Sequence, residues 1–298
     1  MYSWLQRSLQ QLYQRAAQHK LHHALLLKGL KGIGKSDFAE QLGRYLLCSN
    51  KQVVAQTEAA PCGHCQSCLL LNAGNHPDLY EIRSEKQIGV DAIREAIKKL
   101  TGSSQLSGAK VLVIHDAHTM TESSANALLK TLEEPTNNTF LLLLSDQTER
   151  LLPTILSRCE KVALPSPTKQ ACIDWLNQQG YQNVDEAMLR LYGASPLLLV
   201  ERLVTPPKIS YQDVARGIES LQAGSADPAD LATKWQEDAI NMVKWLQIWL
   251  LEKLKKGPNH PESLWQMHKL CVSANEQLRN PGVNKTLVLV NILQSMVK

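Results

Sequence analysis

A chain of 298 residues, 44% hydrophobic and 20% charged, is long enough for one large domain or for two to three smaller ones, each with its own core. Its net charge of +4 and pI near 8.6 are mildly basic, which permits a nucleic-acid partner without requiring one. No run approaches the roughly 20 apolar residues of a membrane span, and "MYSWLQRSLQ" lacks the marks of a secretion signal. The expectation is a cytoplasmic protein with no membrane partner, whose seven cysteines serve metal binding or packing rather than disulfides.

In chain order, residues 3–20 predict an amphipathic helix, with Leu5, Leu9, Leu12 and Ala16 at helical spacing. "HALLLKG" is a short apolar run ending in glycine and predicts a buried strand. "GLKGIGKS", Gly29 to Ser36, follows it, and "KSDFAEQLGRYLLC" then has helical spacing. Residues 48–76 carry four cysteines and two histidines. "DLYEIR" predicts a strand, "VDAIREAIKKL" a helix and "AKVLVIHDAH" a second buried strand. "TESSANALLKTLEEP" predicts a helix with Thr121 as N-cap and Pro135 beyond its end. "TFLLLLSD" is a third apolar strand, and "TILSRC" leads to a last short strand in "KVALP". Strands alternating with helices predict an α/β fold with a parallel sheet.

After "LPSPT", Leu164 to Thr168, only helical signals remain. Residues 168–203 predict a small helical unit, and "VTPPKIS", Val204 to Ser210, a linker. A long helix is expected from about Pro228 to Lys256, broken by "KGPNHP". Trp235, Met242 and Trp249 recur every seven residues in it, a spacing for packing against other helices.

"GLKGIGKS" fits the phosphate-loop pattern G-x-x-x-x-G-K-[ST] in full, and a strand before it with a helix after it is the context such a loop needs. Gly29, Gly32 and Gly34 let the backbone approach phosphate oxygens, Lys35 would reach the outer phosphates, and Ser36 would hold Mg²⁺. The expected ligand is ATP or ADP with Mg²⁺. Hydrolysis needs more: a carboxylate for the metal shell and a group that positions water. The strand "VLVIHDAH" offers His115 and then Asp116, and histidine is a poor substitute for a hard oxygen ligand. Binding without efficient turnover is favoured over hydrolysis, although His115 and Asp116 could simply end a core strand. Cys48, Cys62, Cys65 and Cys68 have the spacing of a closed, structural zinc site, with an iron–sulfur cluster as the alternative and His64 and His76 as rival ligands. Cys159, Cys172 and Cys271 are isolated packing residues.

Several segments resemble subunits of the bacterial DNA polymerase III clamp loader, within the AAA+ superfamily. They are "GLKGIGKS", "LLC…CGHCQSC", "NHPDLY", "GVDAIRE", "NALLKTLEEP" and "LLPTILSRC", over about residues 20–160. The resemblance implies an AAA+ nucleotide-binding domain with a zinc-binding insertion (residues 1–165), a helical lid (166–206) and an all-helical collar (207–298). It implies a hetero-pentamer of delta, delta-prime and three tau/gamma subunits that uses ATP to open the sliding clamp and set it around primed DNA. That assembly belongs to a DNA-directed DNA polymerase, a nucleotidyltransferase; this chain itself would carry no polymerase activity and little or no ATPase. The delta-prime branch is the nearer match. Where the tau/gamma motor shows Asp-Glu this chain has His115-Asp116, and where the motor's lid has a sensing arginine it has Pro196 and Leu197. The end at residue 298 without a tau-like extension reads the same way. The intact loop pulls toward the alternative, an ATP-hydrolysing motor. In this family the arginine of "SRC" enters a neighbouring subunit's ATP site, so the resemblance makes Arg158 an arginine finger in trans. From the residues alone Arg158 is an ordinary surface arginine beside a local acid.

Overall fold

The computed structural model describes residues 1–297 apart from 55–57, 85, 107, 182, 183, 185, 193, 206, 207, 256–261, 279 and 281. The chain divides into two compact units, Met1–Leu199 and Val200–Lys298. In the first, α1 (Ser3–Ala17), β1 (Ala24–Lys28) and α2 (Lys35–Leu47) follow the expected order. After them come a hairpin of β2 (Gln52–Val54) and β3 (Glu58–Ala60), then α3 (Gln66–Asn72), β4 (Leu79–Ile82) and α4 (Val90–Thr101). The α/β part continues through β5 (Lys110–Ile114), α5 (Glu122–Glu133), β6 (Thr139–Ser145), α6 (Pro153–Leu156) and β7 (Glu160–Ala163).

The five longer-range strands form one parallel sheet in the order β4-β5-β6-β1-β7. Leu25, Leu26 and Leu27 of β1 face Leu142, Leu143 and Leu144 of β6, and all are buried. Strands covered on both faces by helices have no polar face to keep, so they read as continuous apolar runs. One face is packed by α1 and α2 through Leu9, Phe38 and Leu42, the other by α4 and α5 through Ile93, Leu100 and Leu128. Thr121 accepts a hydrogen bond from the N–H of Ser124, the expected cap of α5.

Three helices, α7 (Lys169–Gln178), α8 (Glu186–Leu191) and α9 (Pro196–Val204), follow the sheet. The second unit holds α10 (Tyr211–Gln222), α11 (Pro228–Trp235), α12 (Ala239–Lys255), α13 (Glu262–Gln277) and α14 (Lys285–Ser295). Ser210 and Asp213 form a capping box at α10, and Asp227 caps α11 ahead of Pro228. Trp235, Met242 and Trp249 are all buried, as their spacing requires.

Two expectations change. The first helix ends at Ala17, because His19 turns left-handed (φ 55°) and Lys20 N–H closes back on the Arg15 carbonyl. The long helix expected from Pro228 is two helices joined by a 3₁₀ turn at Gln236–Asp238, where the Asp238 carboxylate takes the Asn241 amide and sits at the positive end of α12. The expected break at "KGPNHP", residues 256–261, lies outside the described residues. The β2–β3 hairpin had no clear signal in the sequence.

Candidate functional site

The phosphate loop leaves the C-terminal end of β1, between β6 and β7, and enters α2. Gly32 (φ 77°) and Gly34 (φ 95°) take left-handed conformations that side chains rarely adopt, which is why glycine stands at both. Gly29 packs where a Cβ would meet Ile33 and the Leu164 carbonyl. Lys35 does not project outward: its Nζ donates to the carbonyls of Gly29 and Leu30, 2.9 Å each. Burial lowers the pKa of its ammonium, and the nearby carboxylates of Asp146 and Asp116 oppose that shift.

Ser36 Oγ lies 3.3 Å from His115 Nδ1. So the residue expected to hold Mg²⁺ faces an imidazole. His115 is buried, and burial pushes its pKa down and favours the neutral ring; Arg83 pushes the same way, against Glu81 and Asp116. Asp116 follows it in a left-handed conformation (φ 46°) at the start of a short 3₁₀ turn, Ala117–Thr119. His118 and Asp146, which the sequence reading did not single out, complete this end of the sheet. Donor atoms of Asp116, His118 and Asp146 lie within 4.8 Å of one another, and His118 Nδ1 is 3.5 Å from Asp146 Oδ1. The signal for Asp146 was a carboxylate directly after the apolar strand "TFLLLLS".

The structure brings the loop residues together with groups the sequence did not connect to them. Tyr2, the N-cap residue of α1, lays its ring on Gly34, so that a Cβ there would overlap it, and its hydroxyl donates to Asp37 at 2.8 Å. Trp4 Nε1 donates to the Ile33 carbonyl at 2.9 Å. Trp175 of α7 meets both rings edge-on. On the other side, Leu197 N–H donates to the Gly32 carbonyl at 3.2 Å, and a Cβ at Gly32 would lie 2.8 Å from Leu198. A phosphate chain fits the chemistry of the glycines and Lys35.

The four cysteines converge. Cys48 lies at the C-cap of α2, and Cys62, Cys65 and Cys68 surround the start of α3. Their sulfurs lie within 4.8 Å of one another, and Cys48 Sγ and Cys65 Sγ are 3.9 Å apart. A tetrahedral zinc ion with thiolates at about 2.3 Å needs sulfurs roughly 3.8 Å apart, so the donor set fits such an ion. Cys62 N–H points at Cys48 Sγ and Cys65 N–H at Cys62 Sγ, bonds that stabilise thiolates. Burial raises the Cys65 thiol, but the N–H groups of Cys68 and Ser49 and the adjoining thiols outweigh it and bring it to about 6; burial pushes Cys68 up to about 12. The rival histidines turn elsewhere: His64 Nδ1 is bonded to the Cys62 carbonyl, and His76 Nδ1 accepts from Asp78 N–H. Cys159, Cys172 and Cys271 are buried singly.

Arg158 lies in the turn between α6 and β7. Its Nε donates to Glu133 at 2.7 Å and its Nη1 to the Thr154 carbonyl at 3.0 Å, and its side chain is 34% exposed. The local acid expected beside it is Glu133, the last residue of α5. Among the described residues no helix is long and apolar enough to cross a membrane.

A sequence profile described as DNA polymerase III, delta subunit, matches residues 4–168. The Escherichia coli protein named DNA polymerase III subunit delta' is 41% identical over 65% of this chain and 58% of its own length, so the match spans less than two thirds of that relative. The Yersinia pestis protein of the same name is 37% identical over 99% of this chain and 94% of its own. Among solved structures, a DNA polymerase III gamma subunit-related protein from Thermotoga maritima covers 97% of this chain and 98% of its own, with a TM-score of 0.54 and 19% identity. That likeness supports the AAA+ fold read from the sequence.

Proposed function

Because the chain belongs to the family of DNA polymerase III delta-prime subunits, we propose that it is the stator-like member of a clamp loader, working beside delta and three tau/gamma subunits. The assembly opens a sliding clamp and sets it on primed DNA in the cytoplasm, as part of a DNA-directed DNA polymerase. Residues 1–165 form the AAA+ domain, 166–206 the lid and 207–298 the collar through which the chain joins its partners. Zinc held by Cys48, Cys62, Cys65 and Cys68 is structural, since four protein ligands leave no position open for a substrate.

The chemistry of this chain is carried by Arg158, which enters the ATP site of the adjacent motor subunit. A guanidinium keeps its charge at any working pH and can bond two oxygens at once. Supplied in trans, it stabilises charge on the transferring phosphoryl group. The observation that supports this reading is a part-exposed Arg158 on a short turn, oriented by Glu133 and the Thr154 carbonyl and engaged by none of the groups of its own phosphate loop. The test is a reconstituted loader in which only the adjacent motor site can turn over. Arg158→Ala should spare assembly and lower DNA-stimulated ATP turnover there by about 10³-fold, the lower end for an arginine finger. Unchanged turnover removes the assignment.

The intact Gly29–Ser36 loop favours a second reading, a tau/gamma-like motor using Gly29, Gly32, Gly34, Lys35, Ser36 and Asp116 in its own site. Against it stand His115 facing Ser36 and the Lys35 ammonium turned back on its own loop. With every other ATP site disabled and a partner's finger supplied, that reading requires Lys35-dependent turnover of ATP with Mg²⁺; absence of turnover rejects it.

A further inference from the structure

We infer that this chain closes its own phosphate loop with Tyr2, and that Tyr2, rather than any defect in "GLKGIGKS", decides that nucleotides are kept out. The loop has the glycines, the lysine and the serine that a nucleotide site needs. What surrounds it is the obstacle. The mouth of the loop is bounded on one side by the Tyr2 ring, flush on Gly34, and on the other by Ser195 and Leu198, against Gly32. On this reading these side chains fill the space a nucleoside would need.

Four arrangements hold the closure. The Tyr2 hydroxyl donates to Asp37, in the first turn of α2. That turn is the positive end of the helix, where a phosphate would be attracted. Through Asp37 the Tyr2 ring is anchored at that same end of the helix. Tyr2 stacks on Trp4, with ring centroids 4.9 Å apart, and Trp4 is tied to the loop by its bond to Ile33. Trp175 meets Tyr2 at 5.6 Å and Trp4 at 6.2 Å, both edge-on, so α7 backs the pair. Finally, Lys35 is satisfied internally by two carbonyls, and Leu197 N–H takes a third loop carbonyl, that of Gly32. These bonds fix the shape of the loop from within. This inference concerns the chain's own site and is independent of the role given to Arg158.

Tyr2 stands at the N-cap of α1 and makes no hydrogen bond to that helix through its side chain, so replacing it removes the stopper with little cost to the helix. The experiment is a calorimetric titration of the full chain with Mg²⁺-ATP, in wild type, Tyr2→Phe, Tyr2→Ala and Tyr2→Ala/Lys35→Ala. Wild type and Tyr2→Phe, which keeps the ring, should bind no more tightly than about millimolar. Tyr2→Ala should bind at least about tenfold more tightly, and the double variant should lose that gain. Trp4 and Trp175 give a second readout on the untouched chain: their fluorescence should not respond to Mg²⁺-ATP in wild type. Micromolar binding or a saturable fluorescence change in wild type overturns the inference. So does a folded Tyr2→Ala, judged by its unfolding temperature, that binds no better than wild type.

Discussion

At the scale of single residues, the loop and its surroundings pull in opposite directions. Lys35 and Ser36 have the chemistry of a nucleotide site, yet one is bonded to its own loop and the other faces His115. Glu133 is the residue on which the Arg158 assignment can be refined. It orients the guanidinium through an ion pair that is part exposed on both sides, and such pairs contribute about 0–1 kcal/mol to stability. Glu133→Gln keeps a hydrogen-bond acceptor and loses the charge. We expect its unfolding free energy to change by less than about 1 kcal/mol. If Glu133 positions the finger, turnover at the adjacent motor should fall in kcat with KM unchanged, and Arg158→Ala should mask the effect in the double variant. A KM change alone would show that the pair is only a surface contact. Lys110 contributes differently: its buried ammonium donates to the Leu100 and Gly102 carbonyls and to Thr136, closing the end of α4. Lys110→Met leaves the Gly102 carbonyl without this donor, while Thr136 Oγ1 still donates to the Leu100 carbonyl, and should cost about 1–3 kcal/mol in a urea unfolding experiment.

At the scale of elements, two devices fix short segments that have little core of their own. The cysteine cluster joins the end of α2 to α3 across the β2–β3 hairpin. With the ion removed by a chelator, thiols that sit within 4.8 Å of one another lose what holds them together. The unfolding temperature should fall, one zinc per chain should appear in the chelator by a colorimetric assay, and Cys68→Ser should reproduce the fall. No change in unfolding temperature would show that the cluster is not a stabilising metal site. The second device is the cap of α5. Thr121→Ala removes the acceptor for Ser124 N–H and should cost about 0.5–2 kcal/mol, read as a lower unfolding midpoint. The helix matters beyond its own stability, because Glu133 at its far end holds Arg158.

At the scale of the whole molecule, stability should depend on pH through its buried imidazoles. His76, His115 and His118 all have their pKa lowered by burial. In the unfolded chain each titrates near about 6.5. A depressed value means that the unfolded chain binds more protons, so the contribution is complete above about 6.5 and is lost as pH falls through the folded value. The urea midpoint should therefore drop between about pH 7 and 5, before the Glu160 carboxylate, itself lowered by Arg15, begins to protonate. His76→Asn should shallow that drop; a midpoint independent of pH over this window would show that the imidazoles titrate alike in both states.

The order of strands and helices, the glycine loop, the cysteine set and the cap at Thr121 were all legible in the sequence, because each rests on local spacing: apolar runs, φ freedom at Gly32 and Gly34, or ligands a few residues apart. The antiparallel pairing of β2 with β3 and the split after Trp235 were not, since neither has a local breaker strong enough to mark it. His118 and Asp146 came within reach of the loop only when β5 and β6 paired. The loop itself marks the difference most clearly. Its capacity to hold phosphate is written in eight consecutive residues. Its closure depends on Tyr2, Trp4, Trp175 and Leu198, which lie from about thirty to more than a hundred and sixty positions away and meet it only through the packing of α1, α7 and α9. Contacts of that range have no periodicity or spacing to be read, because they are set by how whole elements pack against one another.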